Sequence, residues 1–165
     1  MKVSHSKRFS RLKIILIILF VMIIIGRFTL TTAQIEGESM LPTFFTGDKV
    51  FISKFSLIDR FDIIVFNSPI ESHVHIKRVI GMPGDEVQVK NDVLYVNGKK
   101  YKETYLNEHS TEDLKVTVPE GKLYVMGDNR RESNDSRLYG FISKEAVIGE
   151  VKLKYSPLNQ LSIFN

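Results

Sequence analysis

Read from its N-terminus, the chain soon loses its polar positions altogether. Residues 14–25, IILIILFVMIII, are twelve apolar residues in succession. A run that is apolar on every side has no solvent face, so it fits a surface helix of a soluble domain poorly. Twelve residues match the apolar core of a secretory signal and are too few to cross a bilayer. Continued through Gly26, Arg27 and FTLTTA, the segment 14–33 reaches twenty residues with one charge near its far end. Arg27 could snorkel to the interface there. Two readings stand side by side. One is a retained single-pass transmembrane anchor over 14–33. The other is a signal removed before Gln34, where TTA is a loose version of an A-x-A site.

Behind Ala33 the pattern alternates. KVFISKF (49–55), DIIVFN (62–67) and HVHIKRVIG (73–81) read as strands, the last ended by the turn GMPGD. EVQVKNDVLYVNGKK (86–100) holds two alternating runs around Asn91-Asp92, and Asn97-Gly98 is a strong hairpin signal. LKVTVPEGKLYVMGDN (114–129) gives two strands around Pro119–Gly121, and AVIGEVKLKYSP (146–157) a last one. Residues 102–113 are polar and read as a loop. There is no long helical period and no internal repeat. The pattern predicts a mainly β domain of irregular antiparallel sheet over 34–165, behind one N-terminal transmembrane helix.

Charge sharpens the front end. The formal net charge is +4, yet residues 1–13 alone carry five basic side chains and no acid. From Phe28 onward acids slightly outnumber bases. The folded part has no basic concentration, so nucleic acid is not expected as a partner. A basic stretch ahead of an apolar run suits a cytoplasmic N-terminus beside a lipid bilayer, with the rest of the chain outside the cell membrane. The chain has no cysteine, which excludes disulfides, a thiolate nucleophile and a cysteine metal site. The four histidines lack H-E-x-x-H spacing. No metal and no cofactor is expected.

Ser39 lies in IEGESMLPTF, residues 35–44, close behind the apolar run. A serine needs a base before it can attack. The surrounding Gly37-Glu38-Ser39-Met40-Leu41 lacks the second glycine of a nucleophile elbow, and the chain lacks the alternating strands and helices of that fold. Lysine is the alternative base, provided that apolar burial lowers its pKa. Lys77 sits among Val74, Ile76, Val79 and Ile80. Alternation puts His73, His75, Lys77 and Val79 on one strand face. Read alone, Ser39 also fits a turn or capping serine, and Lys77 also fits a surface strand.

Four stretches in order, GESMLPTF, GDKVFISK, KRVIGMPGDEV and GDNRRESNDSR, resemble the successive sequence boxes of bacterial type I signal peptidases. The resemblance covers about residues 35–55, 77–87 and 127–137. It implies the signal-peptidase type of β-sheet catalytic domain and a serine endopeptidase working without metal or cofactor. Its substrates would be exported preproteins, cut after small, A-x-A-like residues. By the same resemblance Ser39 is the nucleophile, Lys77 the general base, and Ser133 the hydroxyl that hydrogen-bonds and orients the lysine. Ile35, Met40 and Ile76 would bind substrate, and an extended stretch of the substrate would lie along residues 31–36 by strand addition. Arg78, Asp128, Asp135 and Arg137 would form the charged scaffold, with Arg78 paired to Asp128. Gly81, Pro83 and Gly84 match the turn after the lysine strand. Where some members carry a serine that helps hold the oxyanion, this chain has Gly37, as the Gram-positive branch does. Two rivals remain in view. Self-cleaving repressors resemble this catalytic core but carry a DNA-binding front domain. A tethered β module that had lost activity would be expected to lack Ser39 or Lys77.

Overall fold

A computed structural model describes residues 12–22, 26, 29–108 and 111–164. Residues 12–22 are helical with every side chain exposed. Among the described residues no helix is long and apolar enough to cross a membrane. The basic residues 1–11 and parts of the expected anchor, 23–25 and 27–28, lie outside the described residues.

The expected anchor ends too late in one respect. Leu30–Gln34 is a strand, β1, paired antiparallel with β2, Lys49–Ser53, from Leu30↔Ser53 to Gln34↔Lys49. The β-branched Thr31 and Thr32 suit a pleated surface, and the segment buries alternate residues. The β domain therefore starts at Leu30 rather than at residue 34.

Most of the remaining strands fall within the expected runs. They are β3, Ile63–Asn67; β4, Val74–Gly81; β5, Glu86–Lys90; β6, Val93–Val96; and β7, Lys99–Tyr101. After the 102–113 connection come β8, Leu114–Thr117; β9, Lys122–Met126; β10, Ile142–Ser143; β11, Val147–Ser156; and β12, Ser162–Ile163. A short helix, Ser136–Tyr139, interrupts the last third of the chain. The sequence pattern gave no sign of it, nor of the two-residue strands.

Two sheets result. The larger runs β1-β2-β11-β3-β4-β9-β10, with β12 beside β11; the smaller runs β7-β6-β5-β8. Both hairpins of the smaller sheet turn on two residues in the left-handed region. Asn91 and Asp92 have φ of 49° and 60°, and Asn97 and Gly98 have 51° and 76°. This is the geometry that matches the twist of paired strands. Gly81, where β4 leaves the larger sheet, has no room for a side chain, since a Cβ would stand 2.5 Å from Val87 and 2.8 Å from Val118.

Alternate residues of β3 and β4 feed different cores. Ile63 and Val65 join Ile35, Met40, Phe44, Val50, Ile52 and Val151, with Ile76 packed against them. Ile64 and Phe66 join Val79, Leu123, Val125 and Ile142. A third core lines the smaller sheet around Val87, Leu94 and Tyr124. β4 thus carries its residues between two apolar layers, where a lysine in the middle of the strand is forced out of water.

Candidate active site

The loop from β1 to β2 is closed by backbone bonds from Ile35 N to Asp48 O and from Gly47 N to Ile35 O, 2.8 and 2.9 Å long. Ile35, Met40 and Phe44 are drawn into the core, and Phe44 N donates to Met40 O. Ser39 falls between exposed Glu38 and buried Met40, and so is held half-buried at the lip of the domain. Gly37 has φ +84°, a region where a side chain is strained. This gives a local reason for glycine at that position.

β4 brings Lys77 to this loop. Its side chain is 4% exposed. Nζ donates to Ser39 Oγ at 2.7 Å and to the Ile76 carbonyl at 2.9 Å. Burial lowers the Lys77 pKa from 10.5 to about 8, against the pull of Asp135, Asp128 and Glu71. Among the described residues the amine's one side-chain hydrogen-bond partner is a neutral hydroxyl, which it can deprotonate once it is itself neutral.

Arg78, the next residue, is bound differently. Its guanidinium grips Asp128 with two bonds, Nε–Oδ1 at 2.8 Å and Nη2–Oδ2 at 2.6 Å. It also donates to Phe61 O, and its carbon lies 4.0 Å from the centre of the Tyr105 ring. Thr43 Oγ1 donates to the same carboxylate at 2.5 Å, so Asp128 ties β4 to the loop that carries Ser39. Asn129 completes the clamp. Its backbone N–H donates to Ser39 O at 3.0 Å and its side-chain amide to Glu38 O at 3.1 Å.

Asp135 is fully buried. It accepts from Gly127 N at 2.9 Å and from Arg137 Nε and Nη2, each at 2.8 Å. Gly127 lets the segments meet: a Cβ there would stand 2.2 Å from Ser133 Oγ and 2.5 Å from Ser39 O. Ser133 is thereby placed beside the nucleophile's backbone. The expected hydrogen bond to Lys77 is not made, and Ser133 Oγ is buried with no hydrogen-bond partner among the described residues.

Ser39, Ile76, Lys77 and Ser133 share one open cleft of about 420 Å³, whose rim includes Glu36, Glu71 and Glu132. Ile35 and Met40, expected to contact substrate, do not line it; they are 4% and 1% exposed and belong to the core beneath. Arg78, Asp128, Asp135 and Arg137, expected around the site, do not line the cleft either; they pair as Arg78–Asp128 and Arg137–Asp135. Among the described residues no cluster of His, Asp and Glu is placed to hold a metal ion.

Several residues at the site escaped the sequence reading. Gly127, Asn129 and Thr43 lay inside or beside the matching boxes, where their neighbours were the only signal. Arg130 lay inside the last of these boxes in the same way, whereas Glu103 and Tyr105 gave no signal. Glu103 pairs with Arg130, both buried, and accepts from the Tyr105 hydroxyl at 2.6 Å, so the polar 102–113 loop is fastened behind Arg78.

Comparison with known proteins agrees with this arrangement. The family model described as "Signal peptidase, peptidase S26" matches residues 8–156. Signal peptidase I of Bacillus caldolyticus is 39% identical over 154 residues, covering 82% of this chain and 84% of that protein. Signal peptidase I P of Bacillus subtilis subsp. natto is 37% identical over 176 residues, covering 97% and 95%. A crystal structure of a signal peptidase I from Enterococcus faecalis V583 superposes with a TM-score of 0.55 at 40% identity, covering 58% of this chain and 97% of that one. Similarity of this extent, running through the loop of Ser39 and the strand of Lys77 alike, means that the chain belongs to the signal peptidase family, peptidase S26.

Proposed function

We propose that the protein hydrolyses the bond between a signal peptide and an exported preprotein, with Ser39 as nucleophile and Lys77 as general base. The observation that carries this reading is the 2.7 Å contact between a buried amine and a serine hydroxyl. With its pKa near 8, about a tenth of Lys77 is neutral at pH 7. The neutral amine takes the Ser39 proton as Oγ attacks the scissile carbonyl. The resulting ammonium returns a proton to the leaving amine. Water deprotonated by the same lysine then releases the acyl group. The oxyanion rests mainly on the Ser39 backbone N–H, since Gly37 contributes no side-chain donor.

The substrate lies extended between two strand edges. β1 is the outermost strand of its sheet, and β9 joins β4 only from Arg78 onward, which leaves Val74–Lys77 unpaired on that side. Strand addition there reads alternate side chains, with Ile76 beside the small residue before the cut. The apolar segment that begins by residue 14 holds the chain at a bilayer, N-terminus cytoplasmic, so that the nucleophile works where signal peptides emerge. Support comes from helical residues 12–22, whose apolar side chains have no protein to pack against among the described residues.

The test is incubation with a purified preprotein and mass spectrometry of the products. Wild type should cut after an A-x-A-like site and Ser39→Ala should not. Equal cleavage by both would remove the assignment. Fractionation of cells expressing the full chain tests the anchor.

A further inference from the structure

Beyond Ser39 the cleft does not end. Arg131, Ser133 and Asn134 form one wall of the catalytic cleft and also one wall of a second cavity, of about 850 Å³. Its apolar lining comes from Leu114, Val116, Leu138 and Phe141. Leu114 and Val116 belong to β8, the outermost strand of the smaller sheet, so one edge of β8 has no partner strand. A groove beside an unpaired strand edge suits an extended peptide, which can add main-chain bonds and seat alternate side chains. Leu138, on the short helix, lines the same groove with 65% of its surface in water.

We infer that this groove binds the stretch of preprotein immediately downstream of the bond cut, the beginning of the released protein. The inference rests on the Ser39/Lys77 reading. The direction follows from the two ends of the cleft. One end is bounded by Val74 and by Glu36, which follows β1, the strand that leads back toward the apolar segment, and a signal peptide arrives from this side. The chain leaving the dyad on the opposite side passes over Ser133 and Asn134 and enters the groove. Recognition there is by backbone pairing along β8 and by one apolar side chain set against Leu138 and Val116.

The test uses two substrates with the same signal peptide and cleavage site. One ends just after the cut; the other continues by about six residues, or ~20 Å of extended chain. Wild type should cleave the longer one with the higher kcat/KM. Leu138→Asp should reduce the ratio of long to short kcat/KM about tenfold, through KM, because it places a charge against the apolar contact. Leu138→Ala should reduce it less. An unchanged ratio in Leu138→Asp overturns the inference, as does a wild type indifferent to length. An equal loss on both substrates places Leu138 in folding and overturns it too. A wild type that cuts neither substrate sinks the dyad reading and this inference together.

Discussion

Two buried lysines divide this molecule by function. Lys77 is 4% exposed and Lys154, on β11, is 5%. Each donates to one backbone carbonyl, Ile76 O and Thr43 O respectively. They differ in the second partner. Lys154 Nζ is 3.2 Å from the Asp48 carboxylate, whereas Lys77 Nζ is 2.7 Å from the Ser39 hydroxyl. A carboxylate supplies a buried amine with a counter-charge. A hydroxyl does not neutralise it, and so leaves the amine free to give up its proton. The adjacent Arg78 resembles Lys154 in this respect, since both oxygens of Asp128 accept from its guanidinium. Burial alone does not make a base; burial without a counter-charge does.

The comparison can be broken most severely at Lys77. Lys77→Arg keeps the charge but cannot act as a base near neutral pH. Cleavage of a model preprotein should fall by ~10³-fold or more, and substantial turnover would refute the base assignment. At the other lysine, Asp48→Asn should strand the Lys154 ammonium. It should cost about 3 kcal/mol in chemical denaturation while leaving the dyad contact unaltered.

Smaller effects sharpen the contrast. Lys77 has a folded pKa near 8 against 10.5 for the free side chain, so the unfolded chain binds the extra proton between these values. Stability due to this group therefore rises with pH from about 8 to 10.5 and is lowest below 8. Lys77→Met should be the more stable protein at pH 7, by up to about 3 kcal/mol, with the gap closing toward pH 10.5 in thermal melts. Activity at limiting substrate should rise with pH and level off above about 8. Ser133→Ala should lower kcat about tenfold, an effect of one hydrogen bond formed when substrate is bound. A flat response there would show that Ser133 only fills space beside Gly127.

How much of this was readable beforehand depends on the range of the force involved. Strands β2 to β6, β8, β9 and β11 follow from apolar runs, which are local. The two-residue turns follow from Asn-Asp and Asn-Gly, which is also local. Ser39 and Lys77 stood out only because four boxes occur in order; their contact spans 38 positions and no pattern near either predicts it. Leu30–Ala33 was assigned to the apolar segment because a strand opening with Leu and Thr looks like the tail of an apolar run until its partner, Lys49–Ser53, is known. The family resemblance sets Ile35 and Met40 against substrate, but the loop's closure turns both into the core. Glu103 was hidden for a different reason. A carboxylate in a polar loop looks solvated unless the arginine 27 positions away is seen to meet it.

The early start of β1 has a mechanical consequence. All five residues from Leu30 to Gln34 are locked to β2, and Ile35 is locked to Asp48. The link from the apolar segment to Ser39 is therefore a strut rather than a leash. Lengthening it by one residue would not loosen the enzyme; it would turn every side chain of the strut to the opposite face.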